Sequence, residues 1–203
     1  MRQLPVTVGV PLTKSRLPLF LNMTLPAIRA NLPAEILIDD AEEHANVKRN
    51  RLMSRAHYPY VLLCDDDVIL SHSALGRLLE ALQSAPPNVG YAYGDFLYVN
   101  HPRIGNALSV AGSFDADRLR RANYISMISL IRKSAFPGMD PDIDRFQDWD
   151  LWLHMLADGY VGLYVPPRKE GEALFAAYYG SDGISNKPRK QEAMDIVRRK
   201  YPI

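Results

Sequence analysis

Residues 60–67 read YVLLCDDD, and the predicted fold is built around them. Five apolar or aromatic residues lead directly into three carboxylates. Such a run predicts a short strand that is buried on both faces, as in a parallel sheet. The strand delivers the residues that follow it to the carboxyl edge of the sheet, where open α/β sheets bind their ligands. We therefore expect a site at the end of this strand.

The three adjacent carboxylates at that edge repel one another unless a cation or a set of donors lies among them. In an extended segment residues i and i+2 point the same way, so Asp65 and Asp67 can share one ion while Asp66 faces elsewhere. Hard oxygen ligands suit Mg²⁺ or Mn²⁺, and a diphosphate could complete the coordination. The alternative is a solvated acidic turn that caps the helix starting near Ser71.

Composition indicates a soluble globular domain: 203 residues, of which 47% are hydrophobic and 23% charged. The net charge of +1 calls for no nucleic-acid partner. The single cysteine, Cys64, excludes a disulfide framework. No apolar run approaches the roughly 20 residues of a transmembrane segment. No signal peptide precedes the first strand, so the expected location is cytoplasmic.

The order of predicted elements indicates an α/β sandwich with a mostly parallel central sheet. Strands are predicted over residues 6–11, 35–40, 60–64, 89–99, 123–132 and 161–165. Helices are predicted over 17–30 (with Pro26 kinking or shortening it), 46–56, 71–85, 148–157 and 187–201. No shift in composition marks a second domain, so residues 1–203 are expected to form one domain. Its last part, residues 168–203, is expected to be a mobile loop plus the C-terminal helix.

Polar residues also end the two strands that precede the triplet. Asp39 and Asp40 end the second strand, where a carboxylate can accept hydrogen bonds from the ring N–H groups of a nucleobase; the alternative is helix capping. Thr13 follows the first strand. Its loop, residues 11–16, contains neither a Gly-x-Gly-x-x-Gly fingerprint nor a P-loop. Any phosphate must therefore be held by a metal and by side chains.

A second group of functional residues is predicted where residues 146–153 read FQDWDLWL, at the start of a helix. Desolvation beside Trp149 would raise the pKa of Asp148 toward that of a useful base. The alternative is a helix N-terminus stabilised by an acidic first turn. Because a Trp ring suits a sugar, Trp149 is a candidate contact, whereas Trp152 is predicted to be core.

Taken in this order, residues 5–165 resemble glycosyltransferase family 2, whose members have the GT-A (Rossmann-like) nucleotide-sugar fold, a three-layer α/β sandwich. The triplet at 65–67 matches the Asp-x-Asp metal motif (DXD) of that family. The segment 146–153 matches its Glu-Asp-Trp-Asp-Leu-Trp pattern, with Gln147 in place of Glu.

The resemblance implies a metal-dependent, inverting glycosyltransferase. It would move a hexose from a nucleotide-diphosphate sugar, with a UDP-sugar favoured, to a glycan, protein or lipid-linked acceptor. Asp65 and Asp67 would hold Mn²⁺ or Mg²⁺ under the diphosphate, and Asp148 would take the proton from the acceptor hydroxyl. The other donor-site residues would be Thr13, Asp39, Asp40, Arg49, Asn50, Asp66, Asp95 and Trp149.

Two alternative functions are weighed against this one. A non-catalytic nucleotide- or glycan-binding protein is favoured by two departures from the family. Residues 176–181 lack its late metal-binding His, and the loop at 11–14 lacks its Thr-Tyr-Asn. Water or Asp182 would then complete the metal shell. A sugar nucleotidyltransferase would carry a Gly-rich basic loop after the first strand, which is absent here.

Overall fold

The computed structural model describes residues 3–178 and 190–201. Its strands are β1 Leu4–Pro11, β2 Pro33–Asp39, β3 Tyr60–Leu63, β4 Val68–Leu70, β5 Val89–Tyr93, β6 Phe96–His101, β7 Gly105–Ser109, β8 Leu130–Arg132, β9 Val161–Tyr164 and β10 Phe175–Tyr178. Its helices are α1 Leu17–Leu19, α2 Leu25–Ala30, α3 Ala45–Arg55, α4 Ala74–Ser84, α5 Ala116–Arg121, α6 Gln147–Ala157 and α7 Lys190–Lys200.

Six strands form the central sheet in the order β2-β1-β3-β8-β5-β9. The pairs β1–β2, β1–β3 and β5–β9 are parallel, and β8 runs antiparallel to both of its neighbours. This confirms the predicted α/β class with a mostly parallel sheet.

Strand β3 lies in the middle of the sheet and supplies both hydrophobic layers. Leu62 and Cys64 pack with α2 and α4 on one face, whereas Val61 and Leu63 pack with α3 and α6 on the other. The strand is therefore buried on both faces, as its apolar run predicted. The carboxylates after it necessarily emerge at the edge of the sheet.

The prediction of one strand over residues 89–99 was wrong. The chain leaves the central sheet after β5 and enters a second sheet at β6, whose strand order is β4-β10-β6-β7. Gly94 allows the crossing, because a Cβ there would lie 2.5 Å from Leu174 Cδ1 and 2.9 Å from the Val165 carbonyl oxygen. The Asp95 carboxylate stabilises it by accepting hydrogen bonds from the Ala111 amide and the Tyr164 hydroxyl, each at 2.8 Å.

Two further predictions are corrected. Within residues 123–132 only β8 is a strand, because Ser129 Oγ donates to the Ser126 carbonyl at 2.8 Å and bends the preceding chain. The segment predicted as a mobile loop contains β10, which pairs with β4 and β6. Residues 179–189, including Asp182, lie outside the described residues.

The helix predicted over residues 17–30 is interrupted. A π-helical turn, Phe20–Thr24, separates α1 from α2 just before Pro26. Pro26 lacks an amide hydrogen and its ring crowds the preceding turn, so a wider turn accommodates it. Among the described helices, none is long and apolar enough to cross a membrane.

Candidate functional site

A cleft of about 370 Å³ opens where β1 and β3 end. The triplet 65–67 lines it together with Arg16 and Arg49. Asp148 at the start of α6 lines the same cleft, although it is far away in the chain. The small sheet contributes an apolar wall of Phe96, Tyr98, Phe175 and Ala177, which share one face because Phe96 pairs with Phe175 and Tyr98 with Ala177.

Asp65 is paired with a buried arginine. Its Oδ1 accepts a hydrogen bond from Arg49 Nη2 at 2.7 Å, and the Arg49 residue is 5% exposed. Arg49 Nη1 also donates to Gln147 Oε1 at 2.6 Å and to Asn46 Oδ1 at 3.1 Å. Arg49 thus connects the triplet to the first turn of α6 through Gln147.

Asp66 anchors the loop that follows β1. The carboxylate accepts hydrogen bonds from the Thr13 amide at 2.7 Å and from Arg16 Nη1 at 2.9 Å. Its carbonyl accepts from Thr24 Oγ1 at 2.9 Å. With the residue only 2% exposed, Asp66 ties the loop and the π turn to the end of β3.

Asp67 shares Arg16 with Asp66, since Arg16 Nη1 also donates to Asp67 Oδ2 at 2.8 Å. Burial and the negative charge of Asp65 raise the pKa of Asp67 to about 7, and the charge of Arg16 opposes the shift. The triplet is therefore short of positive charge even with two arginines beside it.

The two outer carboxylates have the donor chemistry of ligands for a divalent ion. The side chains of Asp65 and Asp67 are 35% and 21% exposed, line one cleft and supply the oxygen ligands that Mg²⁺ and Mn²⁺ prefer. Within the described residues no three His, Cys, Asp or Glu side chains converge on one point. These residues fit an ion that takes its remaining oxygens from a bound diphosphate and water.

Asp148 is held at one oxygen. Its Oδ1 accepts hydrogen bonds from Asn123 Nδ2 and from the Trp149 amide, both at 2.9 Å. Burial raises the pKa of Asp148, although these two donors and the charge of Arg49 act in the opposite direction. A carboxylate with a raised pKa at the edge of a cleft is suited to accept a proton.

Thr13, a predicted donor-site residue, lines the cleft, but four other predicted site residues lie outside its lining: Asp39, Asp40, Asn50 and Asp95. Asp39 is buried and paired with Arg51 through both oxygens, at 2.6 and 3.1 Å. Asn50 donates to the Met139 carbonyl and accepts from the Met139 amide, both at 2.8 Å. Asp40 is exposed, and Asp95 is buried at the crossing between the sheets.

Trp149 also lies away from the cleft. The residue is 0% exposed, and its Nε1 donates to the Leu119 carbonyl at 2.6 Å. Its ring has no exposed surface with which to touch a sugar. Trp152 is equally buried, as predicted, and stacks on Tyr91 with ring centroids 4.2 Å apart.

Several cleft residues have no strong sequence signal. Asn123 begins a segment that was interpreted as strand, and no motif marks it. The apolar wall could have been found only in part: Phe96 and Tyr98 are two residues apart in a strand and must share a face. Their neighbour Phe175 comes from a segment predicted to be a loop.

Comparisons with known proteins rest on structure alone. No protein family model matches the chain, and no curated protein matches its sequence. S. aureus TarS 1-349 in complex with UDP-GlcNAc matches with a TM-score of 0.68 and 12% identity, over 97% of this chain and 65% of that one. The same protein in complex with UDP matches with a TM-score of 0.63 and 11% identity, over 97% and 70%.

The mannosyltransferase PcManGT from Pyrobaculum calidifontis, in complex with GDP-Man and Mn²⁺, matches with a TM-score of 0.52 and 15% identity, over 99% of this chain and 62% of that one. The present chain thus spans less than two thirds of the TarS–UDP-GlcNAc and PcManGT chains. At these identities the likeness establishes the fold, and the predicted GT-A glycosyltransferase fold is confirmed.

Proposed function

We propose that this protein transfers a sugar from a nucleotide-diphosphate sugar to an acceptor hydroxyl in the cleft at the end of β3. One observation carries the proposal: Asp65, Asp67 and Asp148 line the same cleft of a GT-A fold. The bound UDP-GlcNAc, UDP and GDP-Man of the structural neighbours support a nucleotide-sugar donor.

The triplet side of the cleft takes the diphosphate end of the donor. Asp65 and Asp67 would hold Mn²⁺ or Mg²⁺, and the Mn²⁺ of the mannosyltransferase complex supports this choice. When bound, such an ion neutralises the charge that develops on the departing nucleoside diphosphate. Thr13, Arg16 and Arg49 line the same part of the cleft, where the guanidinium groups add positive charge.

Asp148 acts as the general base. An acceptor hydroxyl oxygen forms a bond to the anomeric carbon while its proton passes to the Asp148 carboxylate. The bond from the anomeric carbon to the diphosphate oxygen breaks, and that oxygen keeps the electron pair. Attack opposite the departing group inverts the anomeric configuration. Within residues 3–178 and 190–201 both hydrogen bonds to this carboxylate end at Oδ1, which leaves Oδ2 for the proton.

The test is Asp148→Asn in the full chain. Asn keeps an oxygen for the two hydrogen bonds but cannot take the proton, so turnover should fall by roughly 10²- to 10⁴-fold. Nucleoside diphosphate release would be measured with Mn²⁺ across UDP- and GDP-sugars. Binding of UDP, followed by thermal shift, should remain close to that of wild type.

The matched control is Asp158→Asn at the other end of α6, where the side chain is 48% exposed and turnover should not change. A second function is favoured by the arginine partners of Asp65 and Asp67, which neutralise part of their charge without an ion. In that case the protein binds nucleotide or glycan without turnover. Nucleotide binding by wild type, with no release or transfer across donors and acceptors, would establish this second function and reject the first.

A further inference from the structure

We propose that Arg16 is an internal counter-ion of Asp67 that leaves this carboxylate when a divalent ion arrives, so that metal and nucleotide diphosphate bind cooperatively. The inference rests on the proposed function, because it concerns the same diphosphate site. It adds that Asp67 exchanges Arg16 for the ion, while Arg16 exchanges Asp67 for the diphosphate.

The first observation is that the carboxylates of the triplet already have cationic partners. Arg16 Nη1 lies 2.9 Å from Asp66 Oδ1 and 2.8 Å from Asp67 Oδ2. Arg49 Nη2 lies 2.7 Å from Asp65 Oδ1. Two guanidinium groups therefore face three carboxylates, and an ion coordinated by Asp67 Oδ2 would compete with Arg16 for the same oxygen.

The two arginines are held very differently. Arg49 projects from α3, its side chain is 6% exposed and it makes hydrogen bonds to Asn46, Asp65 and Gln147. Arg16 lies in the short 3₁₀ turn Lys14–Arg16, and its side chain is 19% exposed in the cleft. Within the described part of the chain, the hydrogen bonds of the Arg16 side chain are made by Nη1 alone. Arg16 is thus the partner that can move.

The loop does not depend on Arg16 for its anchor. If Arg16 leaves, Asp66 still accepts a hydrogen bond from the Thr13 amide at 2.7 Å, and its carbonyl still accepts from Thr24 Oγ1. The guanidinium can therefore turn into the cleft while the end of β3 keeps its position. Only the contact to Asp67 must break completely for an ion to take its place.

A diphosphate changes the balance of this exchange. A divalent ion alone must displace Arg16 from Asp67 and leaves the guanidinium near a second cation without a new partner. A diphosphate in the cleft offers Arg16 phosphate oxygens, which a guanidinium binds through parallel hydrogen bonds. The ion and the diphosphate therefore assist each other, and by linkage each raises the affinity of the other by the same factor.

The experiment measures Mn²⁺ binding by electron paramagnetic resonance, without nucleotide and with saturating UDP, on wild type and Arg16→Gln. In wild type UDP should tighten Mn²⁺ binding by a factor within the range of roughly 5 to 150 that is typical of coupled sites. Arg16→Gln should bind Mn²⁺ alone more tightly than wild type, and the effect of UDP should shrink. Circular dichroism would verify folding, and Arg16→Lys, which keeps the charge but not the fork of donors, should give an intermediate coupling.

Lys14→Gln is the matched control. It removes the same charge from the same turn, but Lys14 pairs with the exposed Glu42 at 2.9 Å and should leave both affinities unchanged. Equal Mn²⁺ affinity of wild type and Arg16→Gln without nucleotide would overturn the inference, and so would an effect of Lys14→Gln as large as that of Arg16→Gln. If wild type binds no UDP with or without Mn²⁺, the proposed function fails, whereas the nucleotide-free comparison still decides whether Arg16 competes with the ion.

Discussion

At the scale of single residues, Asn123 determines how Asp148 is presented to the cleft. Its Nδ2 donates to Asp148 Oδ1, while its own Oδ1 is buried and has no hydrogen-bond partner among the described residues. An unpaired buried oxygen costs about 1–3 kcal/mol. The fold tolerates this cost and keeps the Asn123 amide nitrogen donating to the Asp148 carboxylate. This arrangement is expected of a residue that positions Asp148.

Asn123→Ala should shift the pH dependence of turnover. Loss of the Nδ2 donor removes a contact that lowers the pKa of Asp148, so that pKa rises further and the acid limb of the kcat profile moves to higher pH. Asn123→Asp should move the acid limb to still higher pH, because a second carboxylate would lie beside Asp148. Arg49, whose charge lowers the pKa of Asp148, is retained in both variants. A purely structural role would lower kcat equally at all pH values, and that result would contradict the assignment.

At the scale of elements, local patterns predicted most helices and the strands β1, β2, β3 and β9 of the central sheet. Strand β3 and helix α6 follow from an apolar run and from an acidic, Trp-containing helix start, and both were predicted within a residue or two. The failures concern mainly the second sheet: β4, β7 and β10 were not predicted, and residues 89–99 were predicted as one strand although the chain changes sheets within them. Only Gly94 and Asp95 interrupt the apolar pattern between β5 and β6, and the turn depends on contacts with Val165 and Leu174, which no local pattern encodes.

Gly94→Ala tests that explanation. The added methyl would press on the Val165 carbonyl oxygen and on Leu174, and overpacking of this kind should lower the free energy of unfolding by about 1–3 kcal/mol. Gly76→Ala in α4 is the control of opposite sign: its Cβ would come no closer than 3.9 Å to Leu4, and Ala favours a helix by about 0.5–1 kcal/mol. Urea unfolding of both variants measures the difference, and equal effects would show that the crossing does not require glycine.

At the scale of the whole molecule, the candidate site was predictable only where the topology alone determines placement. The carboxylates after β3 had to emerge at the edge of the sheet, and the cleft does contain Asp65, Asp67 and Asp148. Asp39 lies at the end of a predicted strand and Asn50 lies inside a predicted helix, yet Arg51 and the Met139 backbone bind these two side chains away from the cleft lining. Long-range packing determines which carboxylates bind a structural partner. The spacing of residues in the sequence therefore cannot distinguish these carboxylates from those that line the cleft.

Asp39 is paired with an arginine and has a lowered pKa, whereas Asp148 has a raised pKa, so substitutions of these two residues should have opposite effects on stability. Arg51 and the Ala41 amide hold the pKa of Asp39 below its usual range despite burial, so ionised Asp39 stabilises the fold at neutral pH. Asp39→Asn should therefore lower the free energy of unfolding at pH 7, and the loss should disappear as acid protonates Asp39 in wild type. Burial raises the pKa of Asp148, so its ionised form destabilises the fold at high pH.

Asp148→Asn should consequently raise the free energy of unfolding at pH 8. That gain should shrink as the pH falls through the raised pKa of Asp148 toward about 4, the usual value for a free Asp. Urea unfolding of wild type and both variants between pH 3 and pH 8 measures the two curves. Asp148→Asn would then be more stable than wild type but inactive, as expected when a fold retains for catalysis a carboxylate that lowers its stability. A destabilising Asp148→Asn at pH 8 would instead make Asp148 a structural helix cap, since its loss would then remove a favourable contact.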